Sequence, residues 1–102
     1  MNKTVAEAVE FALRLRAAYD TPPERKVIIA PPFTALHTVA DVARNSNVAV
    51  AAQTLHWERE GAFTGEVSGG MIREAGAEFV IVGHSERRRY FGETDHSVNK
   101  RI

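Results

Sequence analysis

Chemistry in this chain concentrates where an apolar run meets a burst of charge. Phe79-Val80-Ile81-Val82 ends at Gly83, and His84, Ser85, Glu86, Arg87, Arg88 and Arg89 follow at once. In α/β architectures reactive groups gather just past the C-terminal ends of parallel strands, and His84 falls at such an exit. "SERR" can open a short helix, whose first amide N–H groups would lie beside the imidazole and oppose its protonation. An imidazole kept neutral in this way is a hydrogen-bond donor suited to polarising a carbonyl or enediolate oxygen. The structural alternative is a satisfied histidine next to a solvated arginine face, and the residues by themselves leave both open.

Other candidate groups carry less. His37, His56, His84 and His96 lack the close pair spacing of a metal site and no cysteine is present, so no metal is expected. His37 lies beside the apolar stripe of a helical segment, where packing or solvation accounts for it. Ser85 does not form a nucleophile–base pair with His84 merely by adjacency, since neighbours on a turn diverge. Gly61, Gly65, Gly69 and Gly70 match neither a phosphate loop nor a dinucleotide fingerprint. Trp57 and Phe63 are read either as packing for a long loop or as anchors of an interface.

The elements that must position these groups alternate. Thr4 and Glu7 form a capping box for an amphipathic helix with Val5, Ala8, Val9, Ala12 and Leu13 on one face, interrupted by "TPPERK". Val27 to Ala30 is a short β-branched run closed by Pro31 and Pro32, apolar on both faces like a buried parallel strand. A helix from about Thr34 carries Leu36, Val39, Ala40 and Ala43 on one stripe. "RNSN" is a turn, and Val48 to Ala52 is a second strand. Gln53 to Val67 has no clean period, and a loop that long inside a compact domain is usually functional. A short helix from about Ser68 to Ala75 precedes the third strand, Phe79 to Val82, and Thr94 starts a last helix. Strands alternating with helices imply right-handed βαβ units and a parallel sheet. Three parallel strands cannot cover their own edges, so the pattern is that of part of a larger assembly.

Composition sets the limits. The 102 residues are 44% hydrophobic, which suits one small globular domain. Thirteen basic residues balance thirteen acidic ones, so the charge footprint of a nucleic-acid binder is missing. No apolar run approaches the roughly 20 residues of a membrane span and no signal peptide opens the chain, so a cytoplasmic location is expected.

Four motifs in order, "VIIAPPFTAL", "AAQTLHWEREGAFTGEVS", "VIVGHSERRRYFGETD" and "VNK", closely resemble the triosephosphate isomerase family along essentially the whole chain. The resemblance implies an α/β fold, a partial (β/α)8 TIM barrel containing roughly strands two to four with their helices. It also implies interconversion of dihydroxyacetone phosphate and glyceraldehyde 3-phosphate, in glycolysis and gluconeogenesis, with no cofactor. Carried over by position, His84 is the neutral electrophile and Glu86 an active-site carboxylate. Ser85, Arg87 and Glu93 support them, the last two as an ion pair. Gln53 with Thr64, Gly65 and Glu66 resembles the interface of a homodimer, with Thr64 reaching the neighbour's site. The family's catalytic Lys and general-base Glu fall outside residues 1–102, so the resemblance implies one incomplete domain, truncated at both ends and inactive alone. The alternative is a non-enzymatic module that docks on a partner through the loop from Phe63 to Glu66.

Overall fold

The computed structural model describes residues 1–19 and 25–102. The first helix, α1, runs Val5–Ala18, and its capping box forms as the sequence requires. The Thr4 amide donates to Glu7 Oε2 at 2.7 Å, while Thr4 Oγ1 accepts from the Glu7 amide at 3.5 Å. Arg16 at the other end donates to the Val42 carbonyl, tying α1 to α2, Phe33–Ala43. Of the break expected at "TPPERK", residues 21–24 lie outside the described residues.

Three strands follow from the apolar runs: β1 Val27–Ile29, β2 Val48–Ala52 and β3 Phe79–Val80. They form a parallel sheet in the order β1-β2-β3, with α2 crossing between the first two and α3, Gly69–Glu74, between the last two. Helices α4, Ser85–Tyr90, and α5, Asp95–Asn99, complete the chain. Register pairs Val27 with Val48, Ile29 with Val50 and Ala52 with Val80 on one face, and Ile28 with Ala49 and Ala51 with Phe79 on the other. The first face packs on the helices, where Leu36, Val39, Val50 and Ile72 meet Ala8 and Ala12.

Two expectations need correction. Val27 to Ala30 was expected to be a strand buried on both faces, but burial on both faces is seen in β2 and not in β1. On the face away from the helices Ile28 is 47% and Phe79 37% exposed, because no second layer covers it among the described residues. Ala49 and Ala51 escape exposure there because they are small and flanked by larger neighbours. In α1, Val5 and Leu13 were expected on the buried stripe, yet both are exposed. The helix is covered along the narrow row of Ala8, Ala12 and Leu15, spaced i, i+4, i+7, with Val9 half-buried beside it. Boundaries shift slightly: β1 stops one residue before Ala30, and β3 ends at Val80 although the Ile81 amide still donates to the Ala52 carbonyl.

The capping box gives α1 a pH dependence. Hydrogen bonds from the Thr4 backbone and hydroxyl hold the Glu7 carboxyl below the ordinary glutamate range. A carboxylate depressed on folding stabilises above its unfolded value, and that contribution is lost as pH falls through the lower folded value. Acidification through that window is expected to weaken hydrogen-exchange protection at the Thr4 amide, and Glu7→Ala should abolish the pH dependence. Persistent protection in Glu7→Ala would contradict this.

Candidate active site

The chain leaves β3 through a turn that needs glycine. Gly83 has φ +68°, a left-handed conformation costly for residues with a Cβ, and an added Cβ would lie 3.1 Å from Val98 Cγ2 and 3.2 Å from Arg88 Nη2. Arg88 holds the turn from outside, donating from Nε to the Gly83 carbonyl at 3.0 Å and from Nη1 to Asp95 at 2.7 Å. His84 then becomes the N-cap of α4. Its carbonyl accepts from the amides of Arg87 and Arg88, and its Nδ1 accepts from the Glu86 amide at 3.2 Å.

That last bond fixes the imidazole tautomer. A ring nitrogen that accepts a hydrogen bond does not carry a proton, so the proton resides on Nε2 and Nε2 is the free donor. The Glu86 carboxylate is a rival partner, with Oε2 3.8 Å from the same Nδ1. The amide governs, because it lies within hydrogen-bond distance, whereas the carboxylate lies beyond it on a largely exposed side chain.

His84, Glu86 and Arg87 line a cavity of about 400 Å³ at the C-terminal ends of the strands. Pro32 and Phe33 close it after β1, and Gln53 and Thr54 after β2. Gln53 Nε2 donates to the Ala30 carbonyl at 2.9 Å, joining the exits of the first two strands. A larger cavity, about 480 Å³, follows the side of β1 between Phe11, Leu15 and Ile28. Its lining holds no histidine or carboxylate, so the smaller cavity is the one equipped for chemistry.

Behind α4 lies a buried ion cluster. Glu93 Oε1 accepts from Arg87 Nε and lies 3.3 Å from Arg101 Nη2, with Glu93 and Arg101 both almost fully buried. Glu93 Oε2 is also buried and has no partner among the described residues. Removing one member of such a cluster leaves an uncompensated buried charge, at a cost of about 3–5 kcal/mol. Sequence reasoning placed Arg87 and Glu93 here but missed Arg101. Two of its partners, Leu55 and Trp57, lie more than 40 residues away in the chain, and no local pattern marks it.

The other residues singled out from sequence separate into two places. The long loop is stapled at its base, where the His56 amide donates to the Val67 carbonyl at 2.8 Å and the His56 ring packs 4.2 Å from Trp57 and 4.3 Å from Phe63. Gly61 permits this, since a Cβ there would sit 2.6 Å from the Phe63 ring. Every residue from Glu58 to Glu66 is exposed, so Thr64, Gly65 and Glu66 project from the surface. Gln53 is not with them, because it belongs to the cavity wall. Ser85 occupies the first position of α4, exposed.

Parallel strands joined by helical crossovers, with a histidine, a carboxylate and polar side chains where the strands end, define the class of (β/α)8-barrel enzymes, of which this chain forms part. The family model described as triosephosphate isomerase matches residues 1–102, and the chain belongs to the triosephosphate isomerase family. It is 54% identical over 107 residues to the triosephosphate isomerase of Synechococcus sp. (strain JA-2-3B'a(2-13)), covering 100% of this chain and 43% of that protein. The corresponding protein of Acetivibrio thermocellus is 53% identical over 102 residues, covering 100% and 40%. That of Moorella thermoacetica is 49% identical over 102 residues, covering 100% and 41%. The chain thus spans about two-fifths of the length of these curated relatives. No helix among the described residues is long and apolar enough to cross a membrane.

Gly83→Ala is expected to cost about 1–2 kcal/mol from the left-handed turn alone, with the Val98 contact adding to it. Urea unfolding measures that loss, and the Glu86 amide resonance should shift as His84 moves. An unchanged midpoint and resonance would show that the turn does not depend on glycine.

Proposed function

We propose that this chain carries the electrophilic part of a triosephosphate isomerase site, acting on dihydroxyacetone phosphate and glyceraldehyde 3-phosphate. The observation that carries this reading is the hydrogen bond from the Glu86 amide to His84 Nδ1, which leaves Nε2–H as the donor at a cavity between strand ends. When a base removes a proton from the carbon beside the substrate carbonyl, negative charge develops on the carbonyl oxygen. A donor already aimed at that oxygen stabilises it without reorganisation. The pairing of a carboxylate base with a neutral imidazole is the established division of labour in this family and is taken from it.

Within residues 1–102 the roles divide as follows. His84 is the electrophile. Glu86 lines the cavity and supplies the amide that orients His84. Ser85 opens the turn of α4, and Arg87 with Glu93 holds that helix in place. The general base and catalytic Lys implied by the family resemblance are not among these residues, and no metal or organic cofactor is invoked. Residues 1–102 form one incomplete domain, inactive by itself, that acts in the cytoplasm within glycolysis and gluconeogenesis. The projecting Thr64, Gly65 and Glu66 dock on a second subunit, while Gln53, expected beside them, walls the cavity instead. A non-catalytic docking module using Phe63 to Glu66 is the competing reading. Its support is that an exposed tip sits on a stapled base.

The purified 102-residue chain is expected to show no isomerisation of glyceraldehyde 3-phosphate. Mixing it with a polypeptide supplying the rest of the barrel should restore turnover, and His84→Gln should then lower it by about 10²–10⁴-fold. Turnover by the chain alone, or restored turnover indifferent to His84→Gln, would refute the proposal.

A further inference from the structure

The Arg101 side chain is almost fully buried and engages four groups, two in its own C-terminal segment and two in the segment that follows β2. Its Nε donates to the Leu55 carbonyl at 2.9 Å, and its Nη1 to the Ser97 carbonyl at 2.8 Å. Its Nη2 lies 3.3 Å from Glu93 Oε1, and its guanidinium carbon stands 5.0 Å from the centroid of the Trp57 ring. Leu55 directly follows Gln53 and Thr54, which wall the His84 cavity on the β2 side. Glu93 Oε1 also accepts from Arg87, which walls the same cavity on the α4 side. One planar fork therefore spans the two walls.

We propose that Arg101 is a positioning residue for the isomerase site, fixing the distance between the Gln53–Thr54 wall and the wall that carries His84 and Glu86. The role rests on the function proposed above, but the geometry does not. A guanidinium offers donors in a rigid plane, so the carbonyls of Leu55 and Ser97 and the carboxylate of Glu93 are held in fixed relation. Lysine at this position keeps the charge but gathers its three donors on one flexible nitrogen, so it cannot reach three separated acceptors in those directions. Stacking on Trp57 adds a further restraint, because it sets the tilt of the guanidinium plane and with it the base of the long loop.

Nitrogen-15 NMR of the 102-residue chain separates positioning from mere packing. In Arg101→Lys the β2 amide pattern should persist while the Trp57 indole N–H shifts. The Glu86 amide and both imidazole nitrogens of His84 should move with it, towards a mixture of tautomers. The pair Arg101→Met with Glu93→Gln removes both buried charges and is expected to give the same shifts should Arg101→Lys not fold. A displaced Trp57 with Glu86 and His84 unmoved would overturn the assignment, as would unfolding of both variants, which would make Arg101 a determinant of stability alone. The readout needs no turnover, so failure of the isomerase assay and failure of this inference are told apart.

Discussion

A single backbone N–H organises the candidate site. The Glu86 amide, left without a helical partner in the first turn of α4, donates to His84 Nδ1, and which ring nitrogen remains a donor follows from that choice. Most of the surrounding structure keeps this bond in place. Pairing of β3 with β2 sets where the chain leaves the sheet, and Gly83 reverses it. Arg88 clamps the reversal to Asp95, while Arg87 and Glu93 anchor the helix from behind. The functional group is one side chain, but its orientation is distributed over three elements.

The sheet explains why such a site has a cavity but no enclosure. Helices cover one of its faces, and the other presents Ile28 and Phe79 on either side of two buried alanines. In a closed barrel that second face is the packed interior, filled by side chains from every strand. The relatives of this chain are more than twice its length, by the two-fifths coverage of their sequences. An apolar open face and a three-walled cavity are the same geometric fact seen from two directions. Each is one arc of a ring.

Much of this was legible in the residues because local rules decided it. The capping box of Thr4 and Glu7, the stripe of Leu36, Val39 and Ala43, and the strand Val48–Ala52 all appear where periodicity placed them. Burial was less legible, because it depends on what covers an element. Leu13 and Ile28 are apolar and exposed for that reason, and no window of sequence contains it. Within the site, His84 was visible as a histidine at a strand exit, whereas its tautomer required the Glu86 amide to be located. Arg101 was invisible because the contact that ties it to the β2 side of the cavity, the Leu55 carbonyl, lies 46 residues away.

The most direct test of this account is the nitrogen-15 spectrum of the His84 ring, assigned through long-range couplings to its carbon-bound protons. A bare Nδ1 together with a protonated Nε2 is the expected pattern. A proton found on Nδ1 would mean that the Glu86 amide does not govern the ring, and the electrophile proposed here would be lost.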